Sequence, residues 1–123
     1  MSSWIPRDLS AKLSKIVGAD HVCVDAARLD ELSWDALSEG RLHPLKRPET
    51  ALPLCVVEPG TTSEVQEIVR LANEEKTPIV PYGGGSGLMG GALSIRPNIV
   101  LDLRGMNQIL AIDTVACSAR VQA

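Results

Sequence analysis

Six of the ten glycines in this sequence of 123 residues fall between Gly83 and Gly91, in the run Pro81-Tyr82-Gly83-Gly84-Gly85-Ser86-Gly87-Leu88-Met89-Gly90-Gly91. A glycine has no Cβ, so it permits positive φ and lets another group come close to the backbone. Successive free amides in such a turn point into one concavity that suits an anion. Each glycine costs about 0.5–1 kcal/mol relative to alanine in regular structure. An amide bonded to a charged oxygen returns about 1.5–3 kcal/mol, so about three or four amides on one phosphate offset that cost. No residue between Lys76 and Arg96 ionises near neutral pH. Recognition would therefore run through peptide amides and the Ser86 hydroxyl, without a lysine clamp.

Several phosphate-loop patterns compete for this segment. The ATP-type loop needs Gly-Lys-Ser/Thr after its glycines. Here Gly87 is followed by Leu88 and Met89, which excludes it. The dinucleotide fingerprint Gly-x-Gly-x-x-Gly is present as Gly85-Ser86-Gly87-Leu88-Met89-Gly90, with Asp102 seventeen residues after Gly85. That fingerprint opens a helix. Only seven residues separate Gly91 from Ile99, and Pro97 is among them. The match is read as coincidental. The favoured pattern is a wide loop that wraps a pyrophosphate and returns to the sheet. A plain surface turn is disfavoured because Leu88 and Met89 would be apolar there without purpose.

Other chemistry-bearing residues are sparse. Cys23, Cys55 and Cys117 are far apart and form no Cys-x-x-Cys, and each lies in an apolar run. They read as small buried hydrophobes in a reducing compartment. His21 and His43 are isolated and suggest no metal site. Arg41, His43, Lys46 and Arg47 form a local basic stretch, read as a solvated loop, with an anion-facing patch as the alternative.

The elements that must position the glycine segment can be read on both sides of it. Pro6 suits the first turn of a helix, Ile5, Leu9, Leu13, Ile16 and Val17 recur at helical spacing, and Gly18 closes the run. His21–Val24 reads as a short strand, Leu29–Leu37 as one or two helical turns, and Arg41–Pro53 as an extended loop. Leu54–Val57 is fit for a buried strand. Thr61-Thr62-Ser63-Glu64 supplies a capping box, and Val65, Ile68, Val69 and Ala72 share one face of the helix that follows. Pro78 stops it, and Ile79–Tyr82 is the next strand. This β-helix-β unit has the size for parallel strands with a right-handed crossover. Ile99–Leu103 predicts a third strand. Met106–Ile112 predicts a helical turn and then a strand. The alternation of Cys117, Ala119, Val121 and Ala123 predicts a last one.

Composition sets the outer limits. Apolar residues make up 45% and charged residues 22%, with a net charge of −3, which disfavours non-specific nucleic-acid binding. No apolar run approaches the roughly 20 residues of a membrane helix, and Met1–Val17 lacks a secretory pattern. The cytoplasm, or peripheral attachment at the inner face of a membrane, is the expected location. The fold class is α+β, an α/β-type unit with N-terminal helices, a β-α-β unit and a small mixed sheet. Residues 1–50 form a helical and extended segment and 51–123 a first subdomain. Because the pattern stops within the last strand, the chain is expected to be part of a longer protein.

The segment from Pro81 to Ala92 resembles the pyrophosphate loop of FAD-linked oxidases of the p-cresol methylhydroxylase and vanillyl-alcohol oxidase type. It is most similar to the FAD-binding subunit of glycolate oxidase and to the D-lactate and D-2-hydroxyglutarate dehydrogenases. Pro53–Pro59 with Glu64–Val69, Ile79–Pro81, and Ile99–Leu103 with Met106–Ile109 resemble the family's flanking elements in the same order. The resemblance implies a fold of two subdomains with FAD between them, of which this chain holds the first. It implies that Tyr82, Gly83, Gly84, Gly85 and Ser86 offer amides to the pyrophosphate, and that Ser86 replaces a more usual Thr. Gly87 and Leu88 would continue along the cofactor, and Gly90 and Gly91 would let the chain pass beneath it. Some relatives carry a flavin-linking His where Gly85 stands, so the FAD here is expected to be non-covalent.

The activity implied is oxidation of a 2-hydroxy acid, with hydride passing to the flavin and the substrate held by domains outside this chain. No catalytic residue is assigned. The alternative is a non-catalytic fragment or interaction module with weak or no flavin binding. Exposed strand edges would then favour a homo-oligomer.

Overall fold

The computed structural model describes residues 7–36 and 52–122. Ile5, Pro6 and the basic stretch from Arg41 to Arg47 lie outside the described residues. Helix α1 (Arg7–Val17) is followed by a 3-10 turn (Ala19–His21) and the short strand β1 (Val22–Cys23). Gly18, at φ 91°, makes the break between α1 and that turn, as its place in the sequence predicts. Helix α2 (Ala26–Glu31), strand β2 (Cys55–Val57), helix α3 (Thr62–Glu74) and strand β3 (Ile79–Tyr82) come next. Strands β4 (Ile99–Asp102), β5 (Ile109–Asp113) and β6 (Ser118–Val121) complete the described chain.

The main sheet has the order β1-β2-β4-β3. Strand β4 lies parallel to both β2 and β3, and β1 pairs antiparallel with β2. The β2-α3-β3 unit is thus parallel as predicted, but its strands are not neighbours. The fully buried β4 fills the place between them, and that order was not legible in the sequence. Pro81 sits on β3, the edge strand, where a missing N–H is tolerated.

Alternation along the strands sorts their side chains into two layers. Cys55, Val57, Ile99 and Leu101 pack with Leu9, Leu13 and Val17 of α1 and with Ile68 and Ala72 of α3. Val56 and Val100 face the opposite way, against Leu29, Leu32 and Tyr82. A sheet covered on both faces explains why β2 and β4 read as unbroken apolar runs. Burial pushes the Cys55 thiol up to about 12, with the nearby Cys23 adding to the shift.

Three expectations need correction. Helix α2 starts at Ala26, not Leu29, because Asp25 caps it by accepting from the Arg28 amide at 3.1 Å. Residues 106–108 form no helical turn; a hydrogen-bonded turn from Met106 N to Leu103 O leads directly toward β5. Cys117 is exposed, at φ 49°, in the turn of the β5–β6 hairpin, and so is no buried hydrophobe. The last strand that the alternation predicts forms as β6, without Cys117 and with Ala123 outside the described residues; both faces of its hairpin with β5 are exposed, with Ile109, Leu110, Ile112 and Val121 all open to solvent. Among the described residues, no helix is long and apolar enough to cross a membrane.

Candidate functional site

The parallel strands β2, β4 and β3 end at Val57, Asp102 and Tyr82, and the chemistry-bearing residues gather at those carboxyl ends. Ligands of open α/β sheets bind in this position, because connecting loops diverge there and leave a crevice. Two loops of opposite character stand at this edge.

The loop after β2 supplies its own anion. Glu64, at the third position of α3, accepts from the amides of Gly60 at 2.7 Å and Thr61 at 3.1 Å. The Thr61 hydroxyl accepts from the Glu64 amide at 3.2 Å, which closes the capping box read from the sequence.

The loop after β3 is the glycine segment, and its amides are left open. Among the described residues, no amide from Gly83 to Gly91 donates a hydrogen bond to another group of the chain. The loop is held by its carbonyls. Gly87 O accepts from Ala36 N at 3.0 Å and Gly90 O from Leu93 N at 3.2 Å. The turn after α2 holds the returning segment as well, through Ser94 N to Ser33 O at 3.1 Å.

Of the predicted site residues, Tyr82 is buried at the end of β3, while Gly83, Gly84, Ser86, Gly87, Leu88 and Gly91 are exposed, and Gly85 and Gly90 are half-buried. The left-handed backbone falls at Gly85 (φ 63°) and Gly90 (φ 80°). Gly85 has a second constraint: a Cβ there would overlap the Tyr82 hydroxyl and come within 2.9 Å of its ring carbon Cζ. A Cβ on Gly83 or Gly91 meets nothing. Leu88 is 56% and Met89 94% exposed, so their apolar character does not separate this loop from a surface turn. What separates it is the combination of anchored carbonyls and unfilled amides. No helix follows the loop, so the dinucleotide fingerprint is coincidental, as read.

Beside the loop lies a charged cluster that sequence reasoning missed. Asp102, 3% exposed, is the last residue of β4. Alternation puts it on the α2 side of the sheet, two residues beyond Val100. Its carboxylate accepts from Arg104 Nε at 2.9 Å, Arg104 Nη2 at 2.7 Å and the Arg104 amide at 3.1 Å. Arg28 of α2 adds a contact at 3.3 Å and also reaches Glu31 at 2.9 Å and Glu58 at 3.5 Å. Burial pushes the Asp102 carboxyl up, but the Arg104 bonds outweigh it and hold the group below the usual carboxylate range. The sequence signal was a carboxylate closing an apolar strand, which must find a cation when buried. The cluster lines a cleft of about 610 Å³ together with His21, Pro59 and Gly60. The guanidinium of Arg104 lies 5.4 Å from the centre of the Tyr82 ring, so cleft and loop share a wall.

An α/β unit with an uncharged, amide-lined loop at the carboxyl edge of its parallel strands has the donors that a phosphate-bearing cofactor needs. Comparison with known proteins makes this specific. The family model described as an FAD binding domain matches residues 53–123, so the chain belongs to that family, and its cofactor is FAD. The chain is 30% identical over 118 residues to the glycolate oxidase subunit GlcD of Bacillus subtilis, covering 96% of this chain and 23% of that protein. It is 40% identical over 72 residues to a D-lactate dehydrogenase of Anaerostipes hadrus, covering 58% of this chain and 15% of that protein. The solved structure of p-cresol methylhydroxylase with substrate bound superposes with a TM-score of 0.67 at 28% identity, covering 86% of this chain and 20% of that one. The chain is thus an FAD-binding unit related to flavin oxidoreductases and spans less than a quarter of the length of these two relatives.

The residues present fit FAD. Its diphosphate needs hydrogen-bond donors, and the loop has unfilled ones on an exposed backbone that carries no side chain at Gly83, Gly84 or Gly85.

Proposed function

We propose that the loop from Tyr82 to Gly91 holds the FAD diphosphate. The amides of Gly83, Gly84, Gly85 and Ser86 would donate to its oxygens, with the Ser86 hydroxyl beside them. Gly87 and Leu88 would continue along the cofactor, while Gly90 and Gly91 keep the backbone close. The observation that carries this reading is the set of amides without a partner among the described residues, at the carboxyl edge of a parallel sheet. The cofactor stays non-covalent at this position, because Gly85 offers no attacking atom and the Tyr82 hydroxyl fills the space beside it.

The whole protein, in this reading, oxidises a 2-hydroxy acid of the glycolate or D-lactate kind in the cytoplasm. The bound flavin supplies the acceptor for the hydride leaving the substrate carbon. This chain supplies the grip on the cofactor, and residues outside it bind the substrate. The chain by itself therefore binds FAD weakly and turns over neither glycolate nor D-lactate. Self-association through a sheet edge is the second behaviour this reading allows, because the hairpin exposes apolar residues on both faces.

The test separates diphosphate from ring. Titrated with FAD, ADP and riboflavin, the chain binds the first two and not the third. A Gly84→Val variant keeps the melting temperature, since a Cβ at Gly84 meets only the Ser86 hydroxyl at 3.8 Å, and loses FAD and ADP binding. Equal affinity for riboflavin and FAD, or full binding by Gly84→Val, overturns the assignment.

A further inference from the structure

Tyr82 joins the sheet to the underside of the glycine loop. Its ring is buried against Leu29, Leu32 and Val100, its carbonyl accepts from Leu103 N at 2.9 Å, and its hydroxyl occupies the place of a missing Cβ at Gly85. The turn at Gly85, with φ 63°, therefore rests on that hydroxyl. Arg104 covers the ring from the cleft side at 5.4 Å. A half-exposed arginine is ordinarily free to swing through solvent, and this one is not. One edge of its guanidinium, Nε with Nη2, is bound two-pronged by Asp102, which is itself buried and braced by Arg28. The plane of the fork is fixed by the end of β4, and the fork lies over a ring that Leu29, Leu32 and Val100 pack against.

We propose that Arg104 is a positioning residue for cofactor binding: held by Asp102 and lying over Tyr82, it sets the height of the Tyr82 hydroxyl and so the curl at Gly85 that turns the loop amides outward. This rests on the reading that the loop holds the FAD diphosphate. It assigns Arg104 no contact with the cofactor. The cation acts through the aromatic ring, and the ring acts through its hydroxyl.

The test uses the chain of 123 residues as it stands, with Arg104→Gln and Arg104→Lys. In the absence of ligand, Arg104→Gln shifts the amide resonances of Gly84, Gly85 and Ser86 while those of α3 stay in place. FAD binding weakens by about 5- to 10-fold, the scale of a partly desolvated cation–π contact. Arg104→Lys keeps the cation and recovers part of the affinity. Arg104→Gln also lowers the melting temperature, because buried Asp102 loses its main cation, and Arg104→Lys lowers it less; the readout that a merely structural role would not move is the ligand-free shift of the glycine amides together with the Gln-against-Lys difference in FAD affinity. Unmoved glycine amides in Arg104→Gln overturn the proposal whatever FAD does. Moved amides with unchanged FAD affinity overturn it too. Should FAD leave the amides of 83–91 undisturbed in the unaltered chain, the loop reading fails instead, and the ligand-free resonances still decide whether Arg104 shapes the loop.

Discussion

Two loops leave the same edge of the sheet, and they treat their peptide hydrogens in opposite ways. After β2, Gly60 and Thr61 hand theirs to the carboxylate of Glu64, a residue of the helix that follows. After β3, the run from Gly83 to Gly91 holds no acid in its own sequence, and its amides donate to no group among the described residues. The first loop is a finished piece of structure. The second is shaped just as definitely, by Tyr82 beneath and by the Ala36 and Leu93 amides on its carbonyls, yet it is chemically incomplete. A glycine run becomes a binding element when the protein fixes its shape from behind and leaves its donors vacant in front.

The sharpest way to break this contrast is at Gly85. A Gly85→Val variant combines a β-branched residue at positive φ with overlap on Tyr82, and should cost about 3 kcal/mol in a urea melt. A loop that accepted valine without loss would have no fixed shape, and the contrast with the capping-box loop would collapse. Asp102→Asn comes next. It leaves Arg104 against a neutral amide and Arg28 with Glu31 and Glu58 alone, and because both arginines are partly solvated the expected loss is about 2 kcal/mol, below that of a fully buried pair.

The same variant carries a pH signature. The folded Asp102 carboxyl titrates below its unfolded value, so its contribution is fully present above about pH 4 and is lost as the pH falls through the lower folded value. Melts taken across acid pH should show the unaltered chain and Asp102→Asn converging at the acid end. Divergence toward acid would reverse the sign and exclude the ion pair as its cause. The smallest effect is at Glu64. A Glu64→Ala change frees the Gly60 and Thr61 amides and should cost about 1 kcal/mol, with FAD affinity unchanged. A matching loss of FAD affinity would show that the two loops do not act separately.

Local signals in the sequence carried far. The capping box at Thr61–Glu64, the helix after it and the buried strands ending at Val57 and Asp102 all follow from spacing and apolar runs. Gly83–Gly91 stood out because glycine clusters have few structural uses. Position in space was less legible. Nothing local says that β4 inserts between β2 and β3, since strand order is decided by which faces can be buried together. The helix read over Leu29–Leu37 starts three residues earlier, at Ala26, because the Asp25 side chain caps it. The Asp102–Arg104–Arg28 cluster depends on a contact between Arg28 and Asp102, 74 positions apart, and periodicity carries no information at that range.

The absence of any ionisable side chain between Lys76 and Arg96 has a practical consequence. A lysine clamp attracts its ligand through a net charge, and dissolved salt screens that attraction over about 10 Å at ordinary ionic strength. Peptide dipoles in contact with a diphosphate act over far shorter distances. A cofactor held this way stays on through washes in concentrated sodium chloride that would strip it from a cationic site.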